Sequence, residues 1–233
     1  MPYQNMSLEN FAKHVGMDAR EVRRLADRGE LPCEKVGGEW RFNRARTTEW
    51  LQQTMHNFDH GRLVTLERAM GGGVSDMLVT DLIGLAGVDP ALSANTRGSV
   101  LRELVNLADR TGLLYDPKGL LTALEQREAM CSTALPQGVA IPHPRQPMPY
   151  VSAEPFVCVA RLARGIWFGS SDRQLSHLFF LICCHEDRQH LRVLARLMRI
   201  LDGDMIARLL EAETQNDILE LLITKEREVT APE

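Results

Sequence analysis

The sequence has no apolar run that approaches the roughly 18 to 20 residues a membrane-spanning helix needs. Its first residues, Met1-Pro2-Tyr3-Gln4-Asn5, lack the basic and hydrophobic regions of a signal peptide. A G-x-S-x-G nucleophile elbow, a Walker loop and a dinucleotide fingerprint are also missing. We therefore expect a cytoplasmic protein with no membrane partner, and we find no support for a catalytic serine triad or a nucleotide site.

The cysteines form an odd set without a C-x-x-C pair, so they predict neither a disulfide framework nor a zinc site. We interpret them as small hydrophobes buried in a reducing compartment. His143, His185 and His190 could bind a metal, but no carboxylate or cysteine stands at a spacing that indicates a metal site. We therefore predict no metal and no cofactor. The five cysteines are Cys33, Cys131, Cys158, Cys183 and Cys184.

Residues 1–56 have the pattern of a small independent domain. Ser7 is a candidate N-cap for a helix that ends at Gly16, and Asp18 caps a second helix over 19–28. Gly37-Gly38 then separates two short strand-like runs, which is a two-residue hairpin signal. Two helices joined at a glycine and followed by a hairpin predict a winged helix-turn-helix.

The motif E-x-R-R-L-x-x-x-G-x-L-P…V-G-G-x-W-R-F, from Glu21 to Phe42, resembles the excisionase and merR-like DNA-binding modules, and 47–51 matches their short final helix. Nine Lys and Arg stand against eight Asp and Glu through residue 56, so any DNA contact depends on local clusters of cations. The alternative is that these cations form a solvated face. The predicted DNA-binding residues are Arg20, Arg23, Arg24, Arg28, Lys35 and Arg41.

Residues 57–75 form a predicted linker, with a short helix over 62–70 and a flexible hinge at Gly71-Gly72-Gly73. From 76 to 228, helical patterns over 99–108, 118–130 and 191–201 alternate with strands over 156–162 and 177–184. This order predicts an α/β fold, a mixed-sheet sandwich covered by helices, with residues 229–233 as a tail.

One histidine stands between two prolines in Gly138-Val139-Ala140-Ile141-Pro142-His143-Pro144-Arg145. Each proline fixes its own φ and restricts the residue before it, so the His143 imidazole is presented from a stiff, non-helical backbone. Such a setting suits a nucleophilic histidine.

Together with Arg127-Glu128-Ala129-Met130-Cys131-Ser132-Thr133, this segment resembles the type-2 enzyme IIA domains of the bacterial phosphoenolpyruvate-dependent phosphotransferase system, the mannitol/fructose and nitrogen-regulatory kind. The family pattern reads approximately R-E-x-x-x-S-T…G-[IV]-A-[IV]-P-H-G. The resemblance implies the mixed-sheet α/β fold and phosphorylation of His143 by a histidine phosphocarrier protein.

The resemblance also implies roles for other residues around the phosphorylated histidine. His190 matches a histidine that lies beside it, and Arg127 matches the active-site arginine that clamps phosphoryl oxygens. The remaining predicted phosphoryl contacts are Ser132, Thr133 and Arg145.

The chain departs from the family pattern at Pro144, where the family usually has glycine or another small residue. Proline removes one backbone N–H, and phosphoryl acceptance is slowed or lost if that N–H normally contacts the phosphoryl group. Arg145 stands where a lysine often occurs and offers a guanidinium in partial compensation.

Three hypotheses follow from the sequence. The first is a DNA-binding regulator whose enzyme IIA-like domain is a phosphocarrier component that reports phosphotransferase status through His143. The second is a DNA-binding regulator whose enzyme IIA-like domain no longer transfers phosphate and serves as an interaction or dimerisation scaffold. The third is a working phosphocarrier whose N-terminal module docks a partner other than DNA. Because one such module binds DNA weakly, the first two also call for a homodimer or a second factor.

Overall fold

The computed structural model describes residues 5–71 and 78–231. The described helices are α1 Leu8–Val15, α2 Ala19–Asp27, α3 Arg44–Thr54, α4 His60–Gly71, α5 Arg97–Arg110, α6 Pro117–Met130, α7 Asp187–Ile200, α8 Gly203–Glu211 and α9 Gln215–Thr230. The described strands are β1 Asn5–Met6, β2 Cys33–Val36, β3 Glu39–Asn43, β4 Val88–Asp89, β5 Val139–Ala140, β6 Phe156–Ile166 and β7 Ser176–Cys183. None of these helices is long and apolar enough to cross a membrane.

By internal packing the chain divides into two compact units. The first unit comprises Met1–Ser75 together with Asp187–Arg199, and the second comprises Asp76–Glu186 together with Ile200–Glu233. Helix α7 therefore packs with the N-terminal residues, although its range lies in the predicted C-terminal domain. The predicted domain limits at 56, 75 and 228 stay predictions.

The first unit contains the predicted pair of capped helices. The Ser7 side chain accepts a hydrogen bond from the backbone N–H of Asn10, and Asp18 caps α2 in the same way. Gly16 ends α1 at φ 70°, in the left-handed region that favours glycine. The two helices and the turn between them match the prediction within a residue.

The predicted hairpin is present in the first unit. Strands β2 and β3 pair antiparallel, and the Gly37-Gly38 turn between them has φ values of 60° and 87°. Positive φ at both central positions matches the right-handed twist of the strands and is the reason for the two glycines. The β3 side chain of Phe42 is fully buried and stacks on Phe11 of α1 at 4.0 Å, which fixes the hairpin against the helices.

The second unit is built on a four-stranded mixed sheet in the order β4-β6-β7-β5. Strands β6 and β7 pair antiparallel, whereas β4 and β5 are parallel to their neighbours. The side chains of Phe179 and Phe180 on successive positions of β7 are both fully buried, so this strand is covered on both faces, as its continuous apolar run predicts. The mixed-sheet α/β fold is confirmed.

The predicted helix over 62–70 is α4. Gly71 is its last residue, and the rest of the predicted glycine hinge, Gly72 and Gly73, lies outside the described residues.

Candidate functional site

The His143 segment continues from β5 along the edge of the second unit's sheet. The backbone N–H of Ile141 donates to the Thr133 carbonyl at 3.0 Å, and the N–H of Ile182 donates to the Pro142 carbonyl at 3.0 Å. His143 is thus held between the Thr133 segment and β7. The backbone around it is non-helical, as the two prolines predict.

The orientation of the His143 ring is set by a backbone carbonyl. Its Nδ1 lies 2.7 Å from the carbonyl oxygen of Ile141. A carbonyl only accepts hydrogen bonds, so Nδ1 carries the proton and the lone pair of the neutral ring is on Nε2. His143 is only 3% exposed. The arrangement leaves Nε2 as the ring nitrogen with a free lone pair and leaves little of the ring accessible to solvent.

Thr133 is positioned by a buried glutamate at the end of α6. Both carboxylate oxygens of Glu128 lie 3.2 Å from the Thr133 backbone nitrogen, and the Thr133 hydroxyl donates to Oε2 at 2.7 Å. Both side chains are buried. Since the Thr133 carbonyl accepts from Ile141, Glu128 holds one end of a chain of contacts that leads to His143.

Arg127 is buried in the last turn of α6, where only 5% of it is exposed. Its Nη1 donates to the Cys131 carbonyl oxygen at 2.9 Å and lies 3.0 Å from the Cys131 Sγ. The guanidinium therefore fixes the residue immediately before Ser132. Arg127 is therefore a buried residue with ordered partners and not a solvated residue at a helix end.

Ser132 is tied to the loop after β6. Its hydroxyl donates to the Phe168 carbonyl at 2.6 Å and accepts from the N–H of Ala134 at 3.1 Å. Arg97 donates to the same Phe168 carbonyl at 2.8 Å and covers its ring. Next to it, Gly169 has φ 110°, and an added Cβ there would lie 2.8 Å from that of Ser132. The glycine is needed for this close approach.

The structure brings Arg127, Ser132, Thr133 and His143 together through the Cys131–Thr133 segment. Arg145 is exposed two residues beyond His143. His190 is buried on α7 in the first unit. Its predicted place beside His143 stays a prediction.

Three groups that build this site were not predicted from the sequence: the Glu128 carboxylate, the Ile141 carbonyl and the Phe168 carbonyl. The one signal in the sequence for Glu128 was its place in the R-E motif, directly after Arg127. The two carbonyls had no signal, because a backbone oxygen carries no residue identity.

The cations predicted to contact DNA lie on α2, at its C-cap Arg28 and on the hairpin. Arg20, Arg23, Arg24, Arg28 and Lys35 are exposed, and Arg41 is partly buried. Within the described part of the chain, Arg20 and Arg23 have no acidic partner, whereas the others make surface contacts. These are Arg24–Glu21 at 4.0 Å, Arg28–Glu30 at 3.8 Å, Arg41–Glu39 at 2.7 Å, and Lys35 at 5.4 Å from the Trp40 ring centroid.

Residues 5–71 and 78–231 contain no group of three or more His, Cys, Asp or Glu side chains arranged to hold a metal ion.

Two families match this chain. The family described as "Phosphoenolpyruvate-dependent sugar phosphotransferase system, EIIA 2" matches residues 86–225, more than half of the chain. The family described as "Helix-turn-helix domain" matches residues 6–55. The two matches cover separate parts of the chain in the order that the sequence predicts.

Several relatives match this chain, and two of them illustrate the similarity. The "Nitrogen regulatory protein" of Bradyrhizobium diazoefficiens is 37% identical over 139 residues, which are 58% of this chain and 88% of that protein. The "PTS system fructose-specific EIIABC component" of Bacillus subtilis is 30% identical over 149 residues, 63% of this chain. The chain spans only 23% of the length of that second relative.

Solved structures confirm the fold. The nitrogen regulatory protein IIA-Ntr from Neisseria meningitidis has a TM-score of 0.56 at 21% identity, covering 62% of this chain and 98% of that one. The IIA mannitol structure from Escherichia coli has a TM-score of 0.53 at 23% identity, covering 60% and 97%.

Proposed function

Since the chain belongs to the EIIA 2 family of the phosphoenolpyruvate-dependent sugar phosphotransferase system, we propose that His143 accepts a phosphoryl group from a histidine phosphocarrier protein. The observation that carries this proposal is the hydrogen bond between His143 Nδ1 and the Ile141 carbonyl. It presents an imidazole in the one tautomer whose Nε2 lone pair can attack phosphorus.

The transfer moves one phosphoryl group between two imidazoles. The Nε2 lone pair of His143 forms the new N–P bond while the N–P bond to the donor breaks, and the donor ring regains its lone pair. The ring of His143 keeps its Nδ1 proton, and the Ile141 carbonyl stabilises the positive charge that develops there. Little other chemistry is required, because positioning and electrostatic stabilisation dominate phosphoryl transfer.

Arg127 is the group we assign to the phosphoryl oxygens. A guanidinium has five N–H donors, so its contacts with Cys131 leave capacity for an anion. The hydroxyls of Ser132 and Thr133 donate to Phe168 and Glu128 in this structure. Their contribution as phosphoryl contacts therefore requires a change of hydrogen-bond partner, or backbone donors instead. His190 and Arg145 complete the proposed set.

The test of acceptance is intact-mass analysis after incubation with phosphoenolpyruvate, enzyme I and the phosphocarrier protein. We expect an acid-labile gain of one phosphoryl group in the native chain and none in His143→Ala. His185→Ala is the matched control, because His185 lies 3.1 Å from Ser152 and has no assigned role. Absence of any gain with an active relay would contradict the proposal.

We propose further that the N-terminal domain binds DNA through α2 and the β2–β3 hairpin. The exposed Arg20 and Arg23, without acidic partners among the described residues, support phosphate contacts on α2. Gel-shift affinity should fall steeply with salt, since each phosphate neutralised releases counterions. Salt-independent association, or none with any genomic fragment, would favour a protein partner for this domain.

Together these two proposals describe a phosphorylation-responsive DNA-binding regulator. The name of the Bradyrhizobium diazoefficiens relative supports nitrogen regulation over sugar uptake as the closer comparison. A phosphoryl group adds roughly −1.5 to −2 charges, by analogy with other phosphorylated side chains, enough to alter a contact with a partner or a basic surface.

A second candidate is an EIIA-like domain that has lost transfer and acts as an interaction or dimerisation scaffold. Two observations favour it: Pro144 lacks the N–H of the usual glycine, and His143 is only 3% exposed. A Pro144→Gly variant separates the two candidates. If it gains phosphorylation that the native chain lacks, the native domain is a scaffold silenced at this position.

A further inference from the structure

Helix α7 is unusual because it belongs to one domain by family match and to another by packing. Its residues fall inside the 86–225 range of the EIIA match. Its contacts, however, group it with the N-terminal residues in the first unit. The chain enters α7 directly from Glu186 and leaves it at Ile200, so the helix is covalently continuous with the second unit at both ends.

The packing of α7 on α4 is organised around one buried glutamate. Glu67 of α4 accepts hydrogen bonds from Arg196 Nε at 2.7 Å and Arg199 Nη1 at 2.6 Å, and it also contacts Arg196 Nη2. All three side chains are at most 8% exposed. Burial by itself raises the pKa of the Glu67 carboxyl, but the hydrogen bonds and charges of the two arginines outweigh it and hold that pKa below its usual value.

Glu67 lies between the two family matches, in the range predicted as a linker. A flexible linker does not require a buried carboxylate with two buried guanidinium partners, so Glu67 has the environment of a packed helix. Such a cluster is a weak source of net stability but strongly specifies which surfaces meet, because any other pairing leaves a buried charge uncompensated.

The other side of α4 packs on the turn of the helix-turn-helix. A Cβ added to Gly16 would lie 2.8 Å from the Thr65 carbonyl oxygen, so α4 approaches the α1–α2 turn closely. The Arg62 guanidinium reaches the Sδ of Met17 in the same turn at 3.1 Å. Helix α4 therefore contacts both the α1–α2 turn and α7.

The beginning of α7 is tied to the end of α4 by a second contact. Arg188 Nη2 donates to the Ala69 carbonyl at 2.7 Å, satisfying one of the last carbonyls of α4. Arg188 is two residues from His190. The part of α7 that carries the predicted site histidine is thus directly connected to the helix that packs on the α1–α2 turn.

We propose that Glu67 is a positioning residue that joins α7, with His190, through α4 to the α1–α2 turn, so that a change at the phosphoryl site alters DNA affinity. The coupling rests on the proposed function, in which His143 and His190 both belong to the phosphoryl-accepting set. The connection from α7 through α4 to the α1–α2 turn does not rest on the proposed function, because it consists of contacts within the first unit alone.

The link is tested first without phosphate, by hydrogen–deuterium exchange on the full chain. Glu67→Gln should speed exchange in both α7 and the α1–α2 turn by about tenfold or more, while β6 and β7 keep their rates. Arg188→Gln, at an exposed position, should speed exchange in the same two segments by a smaller factor. This variant replaces Glu67→Gln in the test if Glu67→Gln does not fold. Arg208→Gln, an equivalent change at an exposed position on α8, should change neither segment. Loosening of α7 with an unchanged turn would overturn the proposal.

The second measurement is the ratio of DNA affinities with and without the phosphoryl group on His143. We expect a ratio that differs from one by about fivefold or more in the native chain and in Arg208→Gln, and that approaches one in Glu67→Gln and Arg188→Gln. A loss of structure alone lowers both affinities without changing their ratio. An unchanged ratio in both variants overturns the coupling. If His143 of the native chain is not phosphorylated, the proposed function fails. The hydrogen–deuterium exchange measurement alone then tests whether Glu67 connects α7 to the α1–α2 turn.

Discussion

The two units of this protein bury glutamate side chains in different ways. In the first unit Glu67 is surrounded by the guanidinium groups of Arg196 and Arg199. In the second unit Glu128 accepts from the backbone and hydroxyl of Thr133, and Glu226 accepts from the backbone N–H groups of Val79 and Thr80 at 2.7 and 2.8 Å. Glu67 is thus compensated by opposite charge, whereas Glu128 and Glu226 accept from hydrogen-bond donors that carry no net charge.

This difference separates a contact between helices from a contact within a site. Removing the charge of Glu67 takes this carboxylate away from two buried guanidinium groups, and breaking a buried ion pair by removing one member is strongly destabilising. Removing the charge of Glu128 leaves only hydrogen-bond donors with a poorer acceptor. The first glutamate therefore fixes which helices pack together, and the second fixes the geometry of a few neighbouring atoms.

The largest expected effect is that of Glu67→Gln on the first unit. We expect a loss of about 3–5 kcal/mol in the free energy of unfolding, because both arginines stay buried. Glu34→Gln, which breaks the exposed pair with Arg46, should change it by less than about 1 kcal/mol. Urea denaturation in a Trp167→Phe background reports the first unit, where the remaining tryptophans, Trp40 and Trp50, lie.

Equal effects of the two substitutions would contradict the comparison. An independent check is the pH dependence of the free energy of unfolding at acid pH. The pKa of Glu67 is lower folded than unfolded, so its contribution is complete above its ordinary value near 4.5 and is lost as the pH falls through the folded pKa. Glu67→Gln should remove this loss.

A smaller effect is expected from Glu128→Gln in the second unit. The amide keeps one acceptor oxygen for Thr133 but places an N–H₂ group where the other oxygen lay, which should reduce stability by about 1–3 kcal/mol. Phosphorylation of His143 should slow by about tenfold, because Thr133 positions Ile141 and Ile141 sets the tautomer. Glu125→Gln, at an exposed position of the same helix, is the control. A normal rate in a destabilised variant would show that Glu128 is structural only.

Local signals predicted much of the fold. The caps Ser7 and Asp18 bound their helices as expected, and Gly37-Gly38 forms the expected turn with positive φ. The apolar run of β7 indicated a doubly covered strand. In each of these the determining residues lie within a few positions of one another, so the sequence contains the whole interaction.

The site and the helix packing depend on partners far apart in the chain. Ser132 donates to a carbonyl 36 residues away, and Glu67 pairs with Arg196 across 129 residues. Neither contact leaves a periodic pattern, and Arg196 and Arg199 resemble ordinary surface cations on an amphipathic helix. The family resemblance identified His143 and Arg127, but it carried no information about Glu67, which lies outside both matched ranges.

The stability of the first unit should also depend on pH through one histidine. His14 on α1 lies partly buried near Arg44 and Arg188, and its Nε2 has no hydrogen-bond partner in the described residues. Burial and the two cations lower the pKa of His14 to about 4. Because the unfolded chain takes up this proton near pH 6.5, the first unit should lose stability progressively from about pH 6.5 to pH 4. His14→Gln should reduce this loss of stability between pH 6.5 and pH 4, whereas His56→Gln, at an exposed position, should not. Identical pH profiles of the free energy of unfolding for the native chain and His14→Gln would refute the role of His14.

The smallest expected change in stability comes from Arg41→Gln, and it tests whether exposed charges serve binding. The ion pair of Arg41 with Glu39 at 2.7 Å is largely open to solvent, so its loss should change the free energy of unfolding by less than about 1 kcal/mol. DNA affinity should nevertheless fall, and the slope of its logarithm against the logarithm of salt concentration should decrease by about 0.9 if one phosphate contact is lost. Arg110→Gln breaks a comparable exposed pair with Asp89 in the second unit and should leave that slope unchanged. If both substitutions leave DNA binding intact, the hairpin does not contact phosphate, and its cations are a solvated surface.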